Sequence, residues 1–220
     1  FNDGPLNGNL YIKGFGNSVF SDTDLQELVD DIVQKGIKKI SGNIIGDDSY
    51  LDNIYTREDW IEDEGANIHL PPISALVLDR NKITIRKKIR RRYRYLSEII
   101  KDPPIFVANR LSEKLQSEGI EVEGKVLKGV TPQTVYLISE KTILLKNLIS
   151  LINKHSDNFL AECLFKPMGA IYSRKEGSAF YAGQALYQFL ERHDIVTDGL
   201  QIADGSGLSH YNLVSVRSVV

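Results

Sequence analysis

The apolar residues of this chain change their spacing along its length, and that change limits the folds open to it. In residues 9–15, Leu10 and Ile12 alternate with Tyr11 and Lys13, the period-two pattern of a half-buried strand. Ser21 then predicts a helix start with Asp24 as capping-box partner. Leu25, Leu28, Val29, Ile32 and Val33 recur at helical spacing until Gly36. Ile37 to Ile45 reads as another strand, so the chain opens as an α/β unit. Asp47 to Gly65 has no sustained period and carries the single tryptophan, Trp60; it reads as a loop, of a length that often serves function. Ile73 to Ile85 predicts two strands turning at Asp79-Arg80-Asn81. Asp102-Pro103-Pro104 predicts a helix with its stripe at Ile105, Val107, Ala108, Leu111 and Leu115, ended by Gly119. Val122 to Val130 and Thr134 to Ile138 read as strands. From Leu144 the spacing is helical only, through Leu145, Leu148, Ile149 and Ile152, then Phe159 to Met168, then Ala179 to Leu190. The expectation is an α/β domain over 1–140 and a helical part of a second domain over 141–220.

Composition narrows the function classes. With 220 residues, 27 Lys+Arg against 29 Asp+Glu and 42% hydrophobic residues, the chain is globular rather than disordered or collagenous. A net charge of −2 argues against a dedicated nucleic-acid binder. Cys163 is the only cysteine, so no intrachain disulfide and no thiolate metal cluster can form. The longest apolar stretch, Ile68 to Leu78, is broken by Pro71 and Pro72 and falls well short of the ~20 residues of a membrane span. The sequence begins at Phe1 without a charged-then-apolar leader, so we expect any targeting segment to be removed or to lie outside it, and the chain to be a mature piece or a fragment. A basic run from Arg86 to Arg94, interleaved with Ile89, Tyr93 and Tyr95, reads as a solvated strand or loop face, with contact to an anionic polymer as the alternative.

Ser156-Asp157-Asn158 lies between two helical patterns. In an extended turn the first and third side chains project to the same side, so a hydroxyl and a carboxamide can face one cleft. Asn158 or Asp157 can equally cap the helix that starts at Phe159. The tripeptide is also one of the three elements of penicillin-interacting serine enzymes, beside Ser-x-x-Lys and Lys-Thr-Gly.

The flanking residues extend that likeness. Asn153-Lys154-His155-Ser156-Asp157-Asn158-Phe159-Leu160-Ala161-Glu162 closely resembles the second catalytic motif of the class C penicillin-binding proteins, the D-Ala-D-Ala carboxypeptidases and endopeptidases of bacterial cell-wall metabolism. Three more stretches resemble the same family in the same order: Gly8 to Gly14, Gly42 to Tyr50, and Ala203 to Ser209. The resemblance implies a mixed α and β fold, part of a penicillin-recognising domain of the serine β-lactamase/DD-peptidase type with helices on an antiparallel sheet, and an inserted α/β domain. It implies a serine acyl-transfer enzyme in which an acyl-enzyme forms and is hydrolysed. Ser156 takes the place of the hydroxyl that relays a proton between a lysine base and the leaving amine, and Asn158 that of the amide that holds a substrate carbonyl. Trp60-Ile61-Glu62-Asp63 resembles the family's cleft-covering loop, in which Trp60 walls the pocket and Asp63 pairs with the ammonium of the stem peptide; an ordinary acidic surface loop remains the alternative. His210 follows Gly-Leu-Ser where the family often has Arg, a position that meets a substrate carboxylate. The implied partners are peptidoglycan stem peptides and β-lactams, with no nucleic acid, no metal and no organic cofactor, and the implied location is periplasmic or otherwise extracytoplasmic.

Two family elements are missing from these residues. The only Ser/Thr-x-x-Lys match, Thr84-Ile85-Arg86-Lys87, continues an alternating strand pattern, and Lys141-Thr142 is followed by Ile143 instead of glycine. Truncation accounts for both absences together, and the stretch from Lys82 to Asp102 is short for the family. We expect the 220 residues alone to lack the nucleophile. Asp204-Gly205-Ser206-Gly207 lacks the leading glycine of a nucleophile elbow, and His69, His155, His193 and His210 have no zinc spacing. Two readings stand: a segment of an active DD-peptidase, or a non-catalytic module of the same fold that binds peptidoglycan or a partner.

Overall fold

The computed structural model describes residues 4–60, 70–90 and 92–219. The chain divides into two compact units, Phe1–Asp48 with Ala75–Ile143, and Ser49–Ser74 with Leu144–Val220. The divide is thus discontinuous in sequence, with residues 49–74 grouped with the helical part.

The first unit is built on parallel strands. β1 (Leu10–Lys13), β3 (Ile44–Asp47) and β7 (Val126–Lys128) form one sheet in the order β1-β3-β7, and β2 (Lys39–Ile40) pairs in parallel with β6 (Glu121–Val122). α1 (Asp22–Gln34) starts where the sequence predicts: Ser21 accepts from the Asp24 amide, and the Asp24 carboxylate accepts from the Ser21 amide at 2.8 Å. α2 (Pro103–Ser117) is capped by Asp102 and buries Val107, Ala108, Leu111 and Leu115. It comes so close to β3 that a Cβ on Gly46 would lie 2.1 Å from the Pro104 carbonyl oxygen, which leaves glycine as the residue that fits. Leu25, Val29, Ile40, Ile44, Val107 and Leu115 form the fully buried centre.

Four strand expectations change, the first at Val122 to Val130, which is interrupted at residues 123–125 and splits into β6 and β7 of different sheets. Ile37 to Ile45 is not one strand: residues 41–43 interrupt it, and β2 and β3 join different sheets. Residues 73–78 are buried without strand pairing, because the segment is bonded at isolated points, with the Ile73 amide on the Tyr55 carbonyl and the Gly16 amide on the Ala75 carbonyl. An apolar run of this length reads alike for a buried strand and a buried irregular segment. Residues 134–138 are also not a strand, and Val135, Tyr136 and Leu137 are exposed, so their alternation has no sheet face to serve. The predicted turn at Asp79–Asn81 is present, with Arg80 in the left-handed region, and it leads into an antiparallel hairpin of β4 (Lys82–Ile89) and β5 (Arg92–Ile99).

The second unit carries α3 (Leu145–His155), α4 (Asn158–Ser173) and α5 (Ala179–Arg192). Segment 49–60 is tied to the α4–α5 connection: the Gly177 amide donates to the Tyr50 carbonyl at 2.8 Å and the Asp52 amide to the Gly177 carbonyl at 2.9 Å. The antiparallel sheet expected beneath these helices is not found among the described residues of this unit, which has only isolated bridges. No described helix is long and apolar enough to cross a membrane.

Candidate active site

The Ser156-Asp157-Asn158 tripeptide forms the junction of α3 and α4. Ser156 closes α3 in the left-handed conformation, with φ 49° and ψ 50°, and its amide donates to the Ile152 carbonyl. Position C-terminal to a helix favours glycine there, and a serine costs roughly 1–2 kcal/mol of backbone strain. Arg174 closes α4 in the same left-handed conformation. Asp157 is the cap of α4, its carboxylate accepting from the Leu160 amide at 3.1 Å. Asn158 is therefore the first helical residue and not the cap. Ser156 is exposed and Asn158 half-buried, and among the described residues neither side chain has a hydrogen-bond partner. Hydroxyl and carboxamide are both available to a ligand.

One turn along α4 from Asn158 stands Glu162, almost wholly buried. One of its carboxylate oxygens accepts from the backbone amides of Gly205 at 2.9 Å and Ser206 at 2.8 Å. Burial pushes the Glu162 carboxyl above the usual range, and the nearby Asp204 charge adds to the rise. The 204–209 loop sits against α4 so tightly that a Cβ on Gly205 would lie 2.5 Å from the Phe165 Cβ, while Gly207, at φ 78°, supplies the left-handed turn.

Asp204 organises the rest of that loop from within. Its buried carboxylate accepts from the amides of Gly207 at 2.8 Å and Ser209 at 2.7 Å, from the Asn212 side-chain amide at 2.7 Å, and from the Trp60 indole N–H at 3.1 Å. Arg57 donates twice to Asp59, at 2.9 and 2.7 Å, and to the Ala203 carbonyl at 2.8 Å. Asp59 also accepts from the Ser209 hydroxyl. The Arg57 guanidinium is the main reason that the Asp59 carboxyl is lowered to about 2. Lys166, a further turn along α4 and buried, donates to Asp52 and, at 2.9 Å, to the Ile54 carbonyl.

Trp60, Arg57, Glu162, Lys166, Ile73 and Phe180 are among the residues around a cavity of about 180 Å³. Trp60 lines this cavity, while Ser156, Asn158 and His210 lie outside the lining. His210 is exposed on the turn that follows Ser209, the residue bridged to Trp60. Asp63 lies outside the described residues. Sequence reading assigned no part to Arg57, Asp59, Glu162, Lys166 or Asp204. Glu162 and Asp204 stand inside quoted motifs, and the spacing of four from Asn158 to Glu162 was the available signal; nothing local marked Lys166 or the Arg57–Asp59 pair. No cluster of three or more metal-ligating side chains occurs among the described residues.

The chain is similar to known proteins. It is 24% identical over 274 aligned residues to the D-alanyl-D-alanine carboxypeptidase DacB of Haemophilus influenzae, with 99% of the chain and 57% of that protein covered. It is 22% identical to the D-alanyl-D-alanine carboxypeptidase of Actinomadura sp. strain R39, with 96% of the chain and 51% of that protein covered. The chain spans little more than half the length of these relatives. The crystal structure of H. influenzae penicillin-binding protein 4 superposes over 100% of the chain and 61% of that protein with a TM-score of 0.86 at 22% identity. The same protein complexed with a β-lactam gives 0.78. This likeness establishes the mixed α and β penicillin-recognising fold. The sequence profile of the D-Ala-D-Ala carboxypeptidase 3 (S13) family matches residues 1–93 and 89–220, two segments that overlap at residues 89–93. Covered end to end by those two matches, the chain belongs to the D-Ala-D-Ala carboxypeptidase 3 (S13) family.

Proposed function

We propose that this chain is the portion of a serine D-Ala-D-Ala carboxypeptidase/endopeptidase that supplies the middle catalytic motif and the inserted domain. The observation that carries the reading is the freed pair at the α3–α4 junction: Asp157 takes the capping role, and strained Ser156 and adjacent Asn158 are left with open hydrogen-bonding capacity. A serine from sequence outside these 220 residues attacks the carbonyl of the penultimate D-Ala. The Oγ–C bond forms and the C–N bond breaks, with the Ser156 hydroxyl passing the proton to the departing amine. The Asn158 N–H donors hold a carbonyl of the bound peptide, and water then cleaves the ester. A β-lactam stops at the acyl-enzyme because its leaving amine stays tethered.

Within the chain, Thr84 pairs with Ser97 in the middle of β4, away from any helix N-terminus, which supports an external nucleophile. Trp60, Asp63 and His210 are the proposed contacts to the stem peptide, and peptidoglycan stem peptides and β-lactams the proposed ligands. An extracytoplasmic location, such as the periplasm, goes with that substrate. The domain assignment we propose is an inserted α/β domain over 1–140 that includes a cleft-facing loop near 47–65, and the helical part of the catalytic domain over 141–220.

The test is labelling with a fluorescent penicillin. The full-length protein is expected to give a covalent band on a denaturing gel and the 220-residue chain none. A band from the chain alone overturns the assignment of the nucleophile. Absence of labelling and of D-Ala release by the full-length protein favours instead a non-catalytic peptidoglycan- or partner-binding module.

A further inference from the structure

The β4–β5 hairpin concentrates positive charge in a chain that is otherwise acidic. Seven of the nine residues from Arg86 to Arg94 are cationic and none is acidic, in a chain whose net charge is −2. The register places Lys87 directly opposite Arg94, a like-charge cross-strand pair that destabilises a two-stranded sheet. Glu98 is the only acid of β5 and stands at the far end of the hairpin, opposite Ile83. Among the described residues none of Lys87, Lys88, Arg90, Arg92 and Arg94 is ion-paired.

The pleat sorts the outer half of the hairpin into two faces. Arg86, Lys88, Tyr93 and Tyr95 share one; Lys87, Ile89, Arg92 and Arg94 share the other. Tyr93 and Tyr95 are 56% and 73% exposed, Ile89 is 39% exposed, and the Arg86 guanidinium lies 4.0 Å from the Tyr93 ring centroid. Lysines alone would protect an open strand edge from pairing with another chain. Exposed tyrosines and an isoleucine work against that purpose. Cations on long stems interleaved with tyrosine rings suit the headgroup layer of a bilayer, where the rings and methylene stems enter the interface and the charges meet phosphates. A soluble polyanion without rings or acyl chains would use the charges alone.

We propose that the β4–β5 hairpin is a docking surface for the anionic phospholipid headgroups of a membrane. The proposal is independent of the acyl-transfer reading. It is tested by co-sedimentation of the full-length protein with phosphatidylcholine vesicles, with and without about 30 mol % phosphatidylglycerol. The expected result is about tenfold or more tighter binding to the anionic vesicles, lost near ~0.5 M salt. Binding should fall with Arg86→Gln/Lys88→Gln/Arg92→Gln/Arg94→Gln and, separately, with Tyr93→Ser/Tyr95→Ser, while penicillin labelling and Tm stay unchanged. The salt titration of the unaltered protein keeps the test decisive if a variant fails to fold. Equal binding to neutral vesicles, or no binding to anionic ones, overturns the proposal. So does a tyrosine variant that holds vesicles and inorganic polyphosphate as well as the parent, which would mark a polymer site.

Discussion

The two units are held together by different physics. The first buries a continuous aliphatic cluster from Leu10 to Ile120 around its parallel sheet. The second has a smaller apolar centre around Phe159, Leu160, Cys163 and Phe165, and buries Glu162, Lys166 and Asp204 within it. Its surface carries exposed Leu144, Ile171, Phe180 and Val216. Burial of methylenes is non-directional and tolerates exchange among similar side chains. A buried carboxylate that collects four donors specifies one geometry and fails when one member is lost. The unit with the candidate site thus trades generic stability for a fixed arrangement of loop and helix.

The strongest way to break this comparison is Ser156→Ala in the full-length protein. Acylation by penicillin is expected to slow by about 10²–10⁴-fold with Tm unchanged if the proposed proton relay holds, because the exposed hydroxyl makes no contact that supports the fold. A parallel loss of Tm would make Ser156 structural. Next comes Leu25→Ala in the first unit, which removes a fully buried side chain and should cost about 2–5 kcal/mol in denaturant unfolding. Asp204→Ala should approach it, at about 2–4 kcal/mol, since four donors lose their acceptor together. It should also quench less of, or shift, the Trp60 fluorescence, whose indole N–H is freed. An Asp204→Ala protein as stable as the parent would remove the distinction between the units. Asp157→Ala is smaller, about 1 kcal/mol for a lost cap, whereas Asn158→Ala should leave Tm alone and impair acylation.

The smallest effects are in pH dependence, where two carboxylates of the second unit act in opposite senses. Asp59 is lowered from 3.8 to about 2, so its contribution is complete above 3.8 and is lost as pH falls through 2. Glu162 is raised above 4.5, so its contribution is complete below 4.5 and is lost as pH rises through its folded value. Thermal scans of Asp59→Asn should differ from the parent most above pH 3.8 and converge with it in acid. The stability of the parent relative to Glu162→Gln should improve as pH is lowered toward 4.5. The same slope in both variants would contradict the burial of Glu162.

The elements that local chemistry encodes were legible from the residues alone. The Ser21–Asp24 box, the Asp102 cap and the helical stripes after Leu144 each involve residues within a few positions of one another, and all appear where expected. The α3–α4 junction was readable as a motif, but whether Asp157 or Asn158 caps α4 was not, because both residue types do so equally well. Strand expectations fared worse at 37–45, 73–78, 122–130 and 134–138, since a strand exists only if a partner with free backbone groups lies beside it.

What the sequence by itself determined is the set of long helices, the caps of α1 and α2, the α/β opening and the family to which the chain belongs. Tertiary structure alone decided that the Asn158 helix and the 204–209 loop are joined by Glu162, that Trp60 is fixed by Asp204 144 positions away, and that Arg57 reaches Ala203. Helical order arises from hydrogen bonds between near neighbours and from a repeating apolar stripe, and both leave a period that can be read in a linear string. Contacts across more than a hundred positions leave no period, because the chain segments between them are free to vary in length and composition, so they emerge only when packing brings the partners into hydrogen-bonding distance.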